Sequence, residues 1–431
     1  MQVSVETIGG LERRMTVEIP KEKIEQEVRS RLKSLAHRAK IDGFRPGKVP
    51  MKVIEKRYGG QVQQEVLGEV IQSSFYEAIS QEKLVPAGQP HIEPKETTSD
   101  AGGMEFIATF EVYPEIELAD LNQITIEKPV VEITEQNIDE MVETIRKQQT
   151  TFKTAEKKSE EGDKLIIDFE GRLNDEPFEG GTAQEYPIVL GAKRMIPGFE
   201  EQLLGVEASQ EKTLSVTFPQ EYHALNLAGK DVTFNVKVHR IEQPELPELN
   251  DEFATNMGVQ EGGLQAFRDQ VKENMQRELN NTIKSQLKQQ VMDGLLQCNQ
   301  FDLPKALIDN EIRALVEQRK QSMGQDLELD GSVFEDQARR RVALGLILSE
   351  IIKQHKVQVS PNKLREIVEG IAASYESPEE VIKYYYGNKQ RMNEIENYAL
   401  EEEVVDWVLS QVSVKEKEST FDEIMNSNKS A

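Results

Sequence analysis

The sequence predicts a multidomain α+β protein: an N-terminal α+β domain, a small antiparallel β-sheet domain with one short helix, and an elongated all-α C-terminal domain with arms. Three observations carry this. A length of 431 residues suits about three domains. The spacing of apolar residues changes along the chain, from alternation to a glycine-rich, β-branched stretch and then to helical periods. Turn-forming Gly and Pro cluster in the first two parts, whereas Glu and Leu dominate the third.

The elements follow in order. Residues 1–112 form the first domain. Alternation at 2–8 and 15–19 predicts a hairpin turning at Gly9-Gly10. Pro20 opens a helix to about Ile41, and a second helix follows Pro50 to about Lys83. Strands near 91–96 and 104–112 flank a turn at 99–103. Residues 113–150 form a connector with strand-like runs at 124–126 and 130–133 and a helix from Thr134, Asn137 standing in the capping position. Residues 151–246 form the β domain, with strands near 163–172, 212–218 and 231–241 and a short helix at 198–204. Residues 247–431 are nearly all helix, with starts at Pro304, Ser332 with Glu335, Ser360-Pro361, and Ser377-Pro378 with Glu380.

The longest helix, about 262–298, carries Leu264, Phe267, Val271, Met275, Leu279, Ile283, Leu287, Val291 and Leu295. After the first step the interval is always four residues. Four steps of about 100° overshoot a turn by about 40°, so the stripe winds around the helix. Such a helix changes partners along its length, as in an arm or cradle; an ordinary buried helix of an α-domain is the plainer alternative.

Composition excludes several classes. There is no run of about 18 apolar residues to cross a membrane, and the alternating start reads as a strand rather than a secretion signal. Cys298 is the only cysteine, which rules out an intrachain disulfide or a thiolate cluster and favours a reducing cytoplasm. The five histidines show no ligand spacing, so neither a metal nor a cofactor is expected. Cys298 and Trp407 read as core residues.

Charge is unevenly placed. Residues 1–112 hold 16 Lys and Arg against 17 Asp and Glu, a net of −1, so residues 113–431 carry −24 of the total −25. Within the first domain, positions 29–57 hold ten basic residues against Asp42 and Glu55, a local +8. That cluster surrounds Gly43-Phe44-Arg45-Pro46-Gly47-Lys48-Val49-Pro50, which cannot continue a helix. The loop presents one aromatic and two cations at the tip of a helical hairpin. A basic tip on an acidic body orients toward a polyanion; a solvated helix face is the plainer alternative.

The middle domain reads Asp168-Phe169-Glu170-Gly171, Phe178-Glu179-Gly180-Gly181, Ile196-Pro197-Gly198-Phe199-Glu200, Phe218-Pro219, Tyr222, Leu227-Ala228-Gly229-Lys230 and Phe234 to Val238. No nucleophile–base pair and no phosphate cradle is visible. What recurs is aromatic residues beside glycine or proline turns. This series resembles the FKBP-type peptidyl-prolyl isomerases over essentially all of 160–242. The loop at 43–50, the domain order and the helical C-terminus resemble the trigger factor family of bacterial ribosome-associated chaperones.

The resemblance implies an FKBP-like sheet whose apolar cleft seats a proline ring, with walls at Phe169, Phe178, Met195, Ile196, Tyr222 and Phe234 and with Phe199 as the floor. Glu179 replaces an aspartate usual in small relatives, and Tyr186 stands where phenylalanine is common. The resemblance also implies that Gly43, Phe44, Arg45, Pro46, Gly47 and Lys48 dock on the large ribosomal subunit, protein and rRNA, near the tunnel exit. Nascent and unfolded chains are the implied clients, held by the arms. A homodimer off the ribosome and a link to cell division and the cell cycle belong to the same implication. Two other classes stay open on residues alone: a free cytosolic isomerase whose flanking domains only dimerise it, and a nucleic-acid-binding protein using the basic hairpin, which the overall acidity opposes.

Overall fold

The computed structural model describes residues 2–39, 41, 44, 49–95, 103–174, 176–222, 224, 226–323, 329–373, 375 and 377–427. Packing divides the chain into two compact units, Met1–Lys128 with Ser285–Lys417 and Pro129–Lys284 with Glu418–Ala431.

In the first unit, β1 (Gln2–Gly9), β2 (Glu12–Ile19), β3 (His91–Lys95) and β4 (Met104–Glu111) form an antiparallel sheet in the order β1-β2-β4-β3. Alternation in β2 sends Met15, Val17 and Ile19 fully into the core, where they meet Phe106, Ala108 and Phe110 of β4. The hairpin turns at Gly10, whose φ of +50° suits a residue without Cβ. Helices α1 (Lys21–Arg38) and α2 (Met51–Gln81) cover this sheet. Along the two helices, Lys23 meets Glu77 at 3.0 Å, and Arg31 pairs with Glu65 at 2.8 Å and with Glu69. The hairpin thus has a cross-braced shaft, with an apolar seam of Leu32, Ala36, Val62 and Val66 beneath it.

The chain passes from the first unit to the second within β5 (Thr125–Val130). The run at 124–126 falls in this strand from Thr125 on, and Pro129 is tolerated there on a sheet edge; of the run expected at 130–133 only Val130 is in the strand, and 131–133 are irregular. Helix α3 (Glu135–Gln148) follows, and its Thr134 and Asn137 form the capping box expected from sequence. Strands β6 (Thr151–Thr154), β7 (Lys164–Leu173), β8 (Glu176–Val189), β9 (Glu211–Thr217) and β10 (Asp231–Glu245) make one antiparallel sheet, order β6-β10-β7-β8, with β9 also on β10. The one-turn helix α4 (Phe199–Gln202) packs on it. Both β6 and β8 escape the sequence reading. β8 holds Pro177, Gly180, Gly181 and Pro187, and an edge strand accepts all four where a central one would not.

The helices are α5 (Asp251–Asn256), α6 (Gly263–Cys298), α7 (Lys305–Met323), α8 (Glu335–His355), α9 (Pro361–Ala372), α10 (Pro378–Tyr386), α11 (Lys389–Gln411) and α12 (Phe421–Ser427). The winding stripe of α6 does change partners. Phe267, Val271, Met275 and Leu279 pack with Ile138, Val142, Phe253 and Phe421. Leu287, Val291 and Leu295 pack with Ile126, Ile347, Val404 and Val408. One expectation fails: Ser413–Glu418 is a strand, β11, paired with β5, rather than helix. Its Val-Lys-Glu-Lys-Glu run is exposed throughout, so no apolar pattern announces it.

Candidate functional site

The β domain closes around a chain of aromatic rings. Beginning at the edge, Tyr186 meets Phe169 at 5.7 Å, Phe169 meets Phe234 at 5.9 Å, and Phe234 meets Phe178 at 5.9 Å, all edge to face. Phe178 then meets Phe218 at 6.1 Å, and Phe218 meets Tyr222 at 4.6 Å. Edge-to-face pairs at these separations each add about 0.5–1.5 kcal/mol beyond burial. The chain of rings is therefore stiff before any ligand arrives.

These rings bound a cleft of about 670 Å³. Of the seven expected residues, Phe169, Phe178, Met195, Ile196, Tyr222 and Phe234 line it. Phe199 does not. It is 0% exposed and stands one layer deeper, its ring 5.2 Å from Phe234 and 6.0 Å from Phe169. The single turn of α4 turns this side chain into the core, so it props the floor instead of forming it. Reading residues alone misses Arg194, Pro197, Phe218 and Leu227, which also line the cleft. Phe218 is both core and wall, a double role that Phe-Pro followed by Tyr222 could have signalled.

Two glycines make room for Phe178. A Cβ on Gly171 would lie 2.7 Å from its Cζ, and one on Gly181 would lie 2.7 Å from its Cε2. The ring can come this close to the backbone only because both positions lack a side chain. Polar residues line the cleft as well: Glu179, Thr182, Arg194 and Tyr222.

On the other side of β7, Asp168 Oδ1 accepts the backbone N–H of Glu185 at 2.7 Å, and Oδ2 lies 2.8 Å from His239 Nε2. Chiefly the Glu185 N–H, and then His239, hold the Asp168 carboxyl below the usual carboxylate range against the opposing effect of desolvation. The contact pins Glu185, at φ +48°, beside Tyr186.

At the other candidate site, Gly43, Arg45, Pro46, Gly47 and Lys48 lie outside the described residues. Phe44 is described and is 40% exposed, its N–H donating to Ile41 O at 3.1 Å. Ile41 and Val49, on either side, are buried in the domain core and anchor the ends of the loop. Of the basic cluster, Arg31 is occupied by Glu65 and Glu69. Arg29, Lys33, Arg38, Lys52 and Lys56 pair with no carboxylate among the described residues, so positive field remains around the tip.

Among the described residues there is no cluster of three His, Cys, Asp or Glu able to hold a metal, and no helix is long and apolar enough to cross a membrane. In the helical region, Val333, Tyr375, Tyr384 and Tyr386 are exposed.

Residues 1–145 match the family model of the bacterial trigger factor protein, residues 263–410 that of its C-terminus, and residues 155–239 that of the FKBP-type peptidyl-prolyl cis-trans isomerases. The chain is 48% identical to trigger factor from Pseudoalteromonas atlantica over 99% of each chain. It is 48% identical to that of Stutzerimonas stutzeri over 98% of each. A solved structure, described under promiscuous substrate recognition in folding and assembly activities of the trigger factor chaperone, aligns over 95% of this chain and 99% of its own. Its TM-score is 0.50 at 18% identity, a likeness of fold.

Proposed function

The chain belongs to the trigger factor family, and from that premise we propose that its work is divided among four segments: 1–112 docks, 113–150 connects, 151–246 isomerises and 247–431 holds clients. The protein is a ribosome-associated chaperone with an FKBP-type peptidyl-prolyl isomerase domain, and it binds ribosomes and nascent chains. The free isomerase with merely dimerising flanks is not favoured, because the relatives match from end to end. Docking on the large subunit near the tunnel exit, through loop 43–50 to protein and rRNA, is supported by the anchored loop ends and the unpaired cations around them. The cytoplasm as its compartment and a homodimer off the ribosome are further parts of the proposal.

The observation that carries the isomerase reading is the convergence of six motif residues on one largely aromatic cleft. Resonance holds a peptide bond planar behind a barrier of about 18–20 kcal/mol. A proline amide twisted through its transition state loses that resonance and needs no proton to do so. A preformed apolar seat that grips the ring and accepts the rotating carbonyl binds the twisted form better than either planar one. Phe169, Phe178 and Phe234 supply the seat, Met195 and Ile196 one wall, and Tyr222 the other. Uncatalysed rotation takes roughly tens to hundreds of seconds, long enough to stall a folding chain.

Deleting 163–241 tests the division of labour. The shortened chain is expected to lose turnover of an X-Pro peptide in a protease-coupled assay while still co-sedimenting with ribosomes and suppressing aggregation of an unfolded protein. Complete loss of suppression would place the client surface on the isomerase domain.

A further inference from the structure

The loop at 190–198 joins β8 to α4 and carries Arg194, Met195, Ile196 and Pro197, one whole side of the cleft. Its backbone is irregular, with φ of +86° at Gly191, +53° at Lys193 and +86° at Gly198. Backbone bonds tie Gly191 and Arg194 to nothing else among the described residues. A loop of this kind needs something to hold it, because a non-glycine residue at positive φ is strained.

One side chain does so. Glu200 is only 5% exposed. Its Oε2 accepts the N–H of Gly191 and of Lys193, both at 2.9 Å. Its Oε1 accepts the N–H of Arg194 at 2.8 Å and of Met195 at 3.1 Å. Four backbone donors thus converge on one carboxylate, as they would on a bound anion. Burial raises the Glu200 pKa, but the four N–H bonds outweigh it and leave the carboxyl below its ordinary range, so the charged form is the one this loop is folded around.

Glu200 itself does not line the cleft. We infer that Glu200 is a positioning residue for the isomerase, presetting the Arg194–Ile196 wall so that the proline seat exists before substrate binds. The inference rests on the isomerase reading above. A wall formed only a fraction of the time weakens apparent affinity by that fraction, while complexes that do form turn over normally. Its loss therefore raises KM and spares kcat. General destabilisation does the reverse, lowering kcat per total enzyme at unchanged KM.

Glu200→Gln separates the two. The amide keeps the shape but replaces one acceptor oxygen with a donor facing two N–H groups. For the full chain acting on an X-Pro tetrapeptide, with near-UV circular dichroism fixing the folded fraction, KM is expected to rise about tenfold with kcat within twofold. Unchanged KM overturns the inference, whether or not kcat falls. Wild-type enzyme without turnover overturns the isomerase reading instead. If the amide variant does not fold, hydrogen exchange in the wild-type full chain decides. The amides of Gly191, Lys193, Arg194 and Met195 should be protected without peptide and gain little on adding it. Free exchange until peptide binds would mean that substrate, not Glu200, shapes the wall.

Discussion

The isomerase cleft and the basic hairpin tip solve opposite problems. The cleft is shape: a connected set of rings, most of them buried, in which each side chain is held by the next. The tip is charge and turn chemistry: an exposed Phe44 on a loop whose flanks are buried and whose surroundings are rich in Lys and Arg. A surface that meets a large polyanion gains from field and reach, with one apolar anchor fixing the register. A site that twists an amide gains only from geometry present in advance. Changes at one should therefore leave the other almost untouched.

The largest effect expected is at the tip. Replacing Phe44, Arg45 and Lys48 together by alanine should weaken ribosome co-sedimentation by roughly a hundredfold or more, since charged hydrogen bonds contribute about 1.5–3 kcal/mol each. X-Pro turnover should stay at the wild-type value; a parallel fall would mean that the two regions are coupled. Raising salt offers a second break. Every phosphate that the tip neutralises releases counterions and steepens the salt dependence of docking, whereas seating a proline in an apolar cleft releases none. Moving from about 50 to 200 mM salt should cost docking an order of magnitude or more, with turnover constant.

Next in size is Tyr222→Ala, which removes the tilted ring 4.6 Å from Phe218 and opens one cleft wall. Turnover should fall by at least about tenfold, an energy well within what a packed aromatic contributes. Phe199→Ala should also greatly reduce turnover, but by another route. With no exposed surface and contacts to two rings of the floor, its truncation costs about 3–5 kcal/mol of domain stability. Fluorescence of Trp407, which sits in the separate helical cluster beside Val404 and Val408, should not respond to either change.

How far the sequence could be read follows from the same contrast. The signal at the tip is local: two glycines, two prolines and a run of cations within a few residues, most of them outside the described structure. Most of the cleft was legible because each wall residue sits in a short motif beside a turn. Phe199 was misplaced by one layer, since only the packing of α4 decides whether that ring faces the cleft or the core. Strand β8 was missed because its Pro and Gly residues satisfy an edge position that only sheet order reveals. The service of Glu200 to the loop was invisible for a similar reason: the four N–H groups that converge on it carry no side-chain signature.

The smallest effect is also the sharpest, and it concerns two adjacent glycines. Gly180 has φ of +77° and open space where a Cβ would go. Alanine there strains the backbone by about 1–2 kcal/mol without touching a ring. Gly181 has no such φ, but its Cβ would press to 2.7 Å from Phe178. That ring must tilt, and it cannot tilt without disturbing Phe218 and Phe234. Gly180→Ala should therefore lower the unfolding midpoint while turnover of the folded enzyme stays put. Gly181→Ala should instead lower turnover of the folded enzyme several-fold. If both variants lost stability and neither lost specific activity, the cleft would be softer than its ring contacts require, and the seat would form around its proline instead of awaiting it.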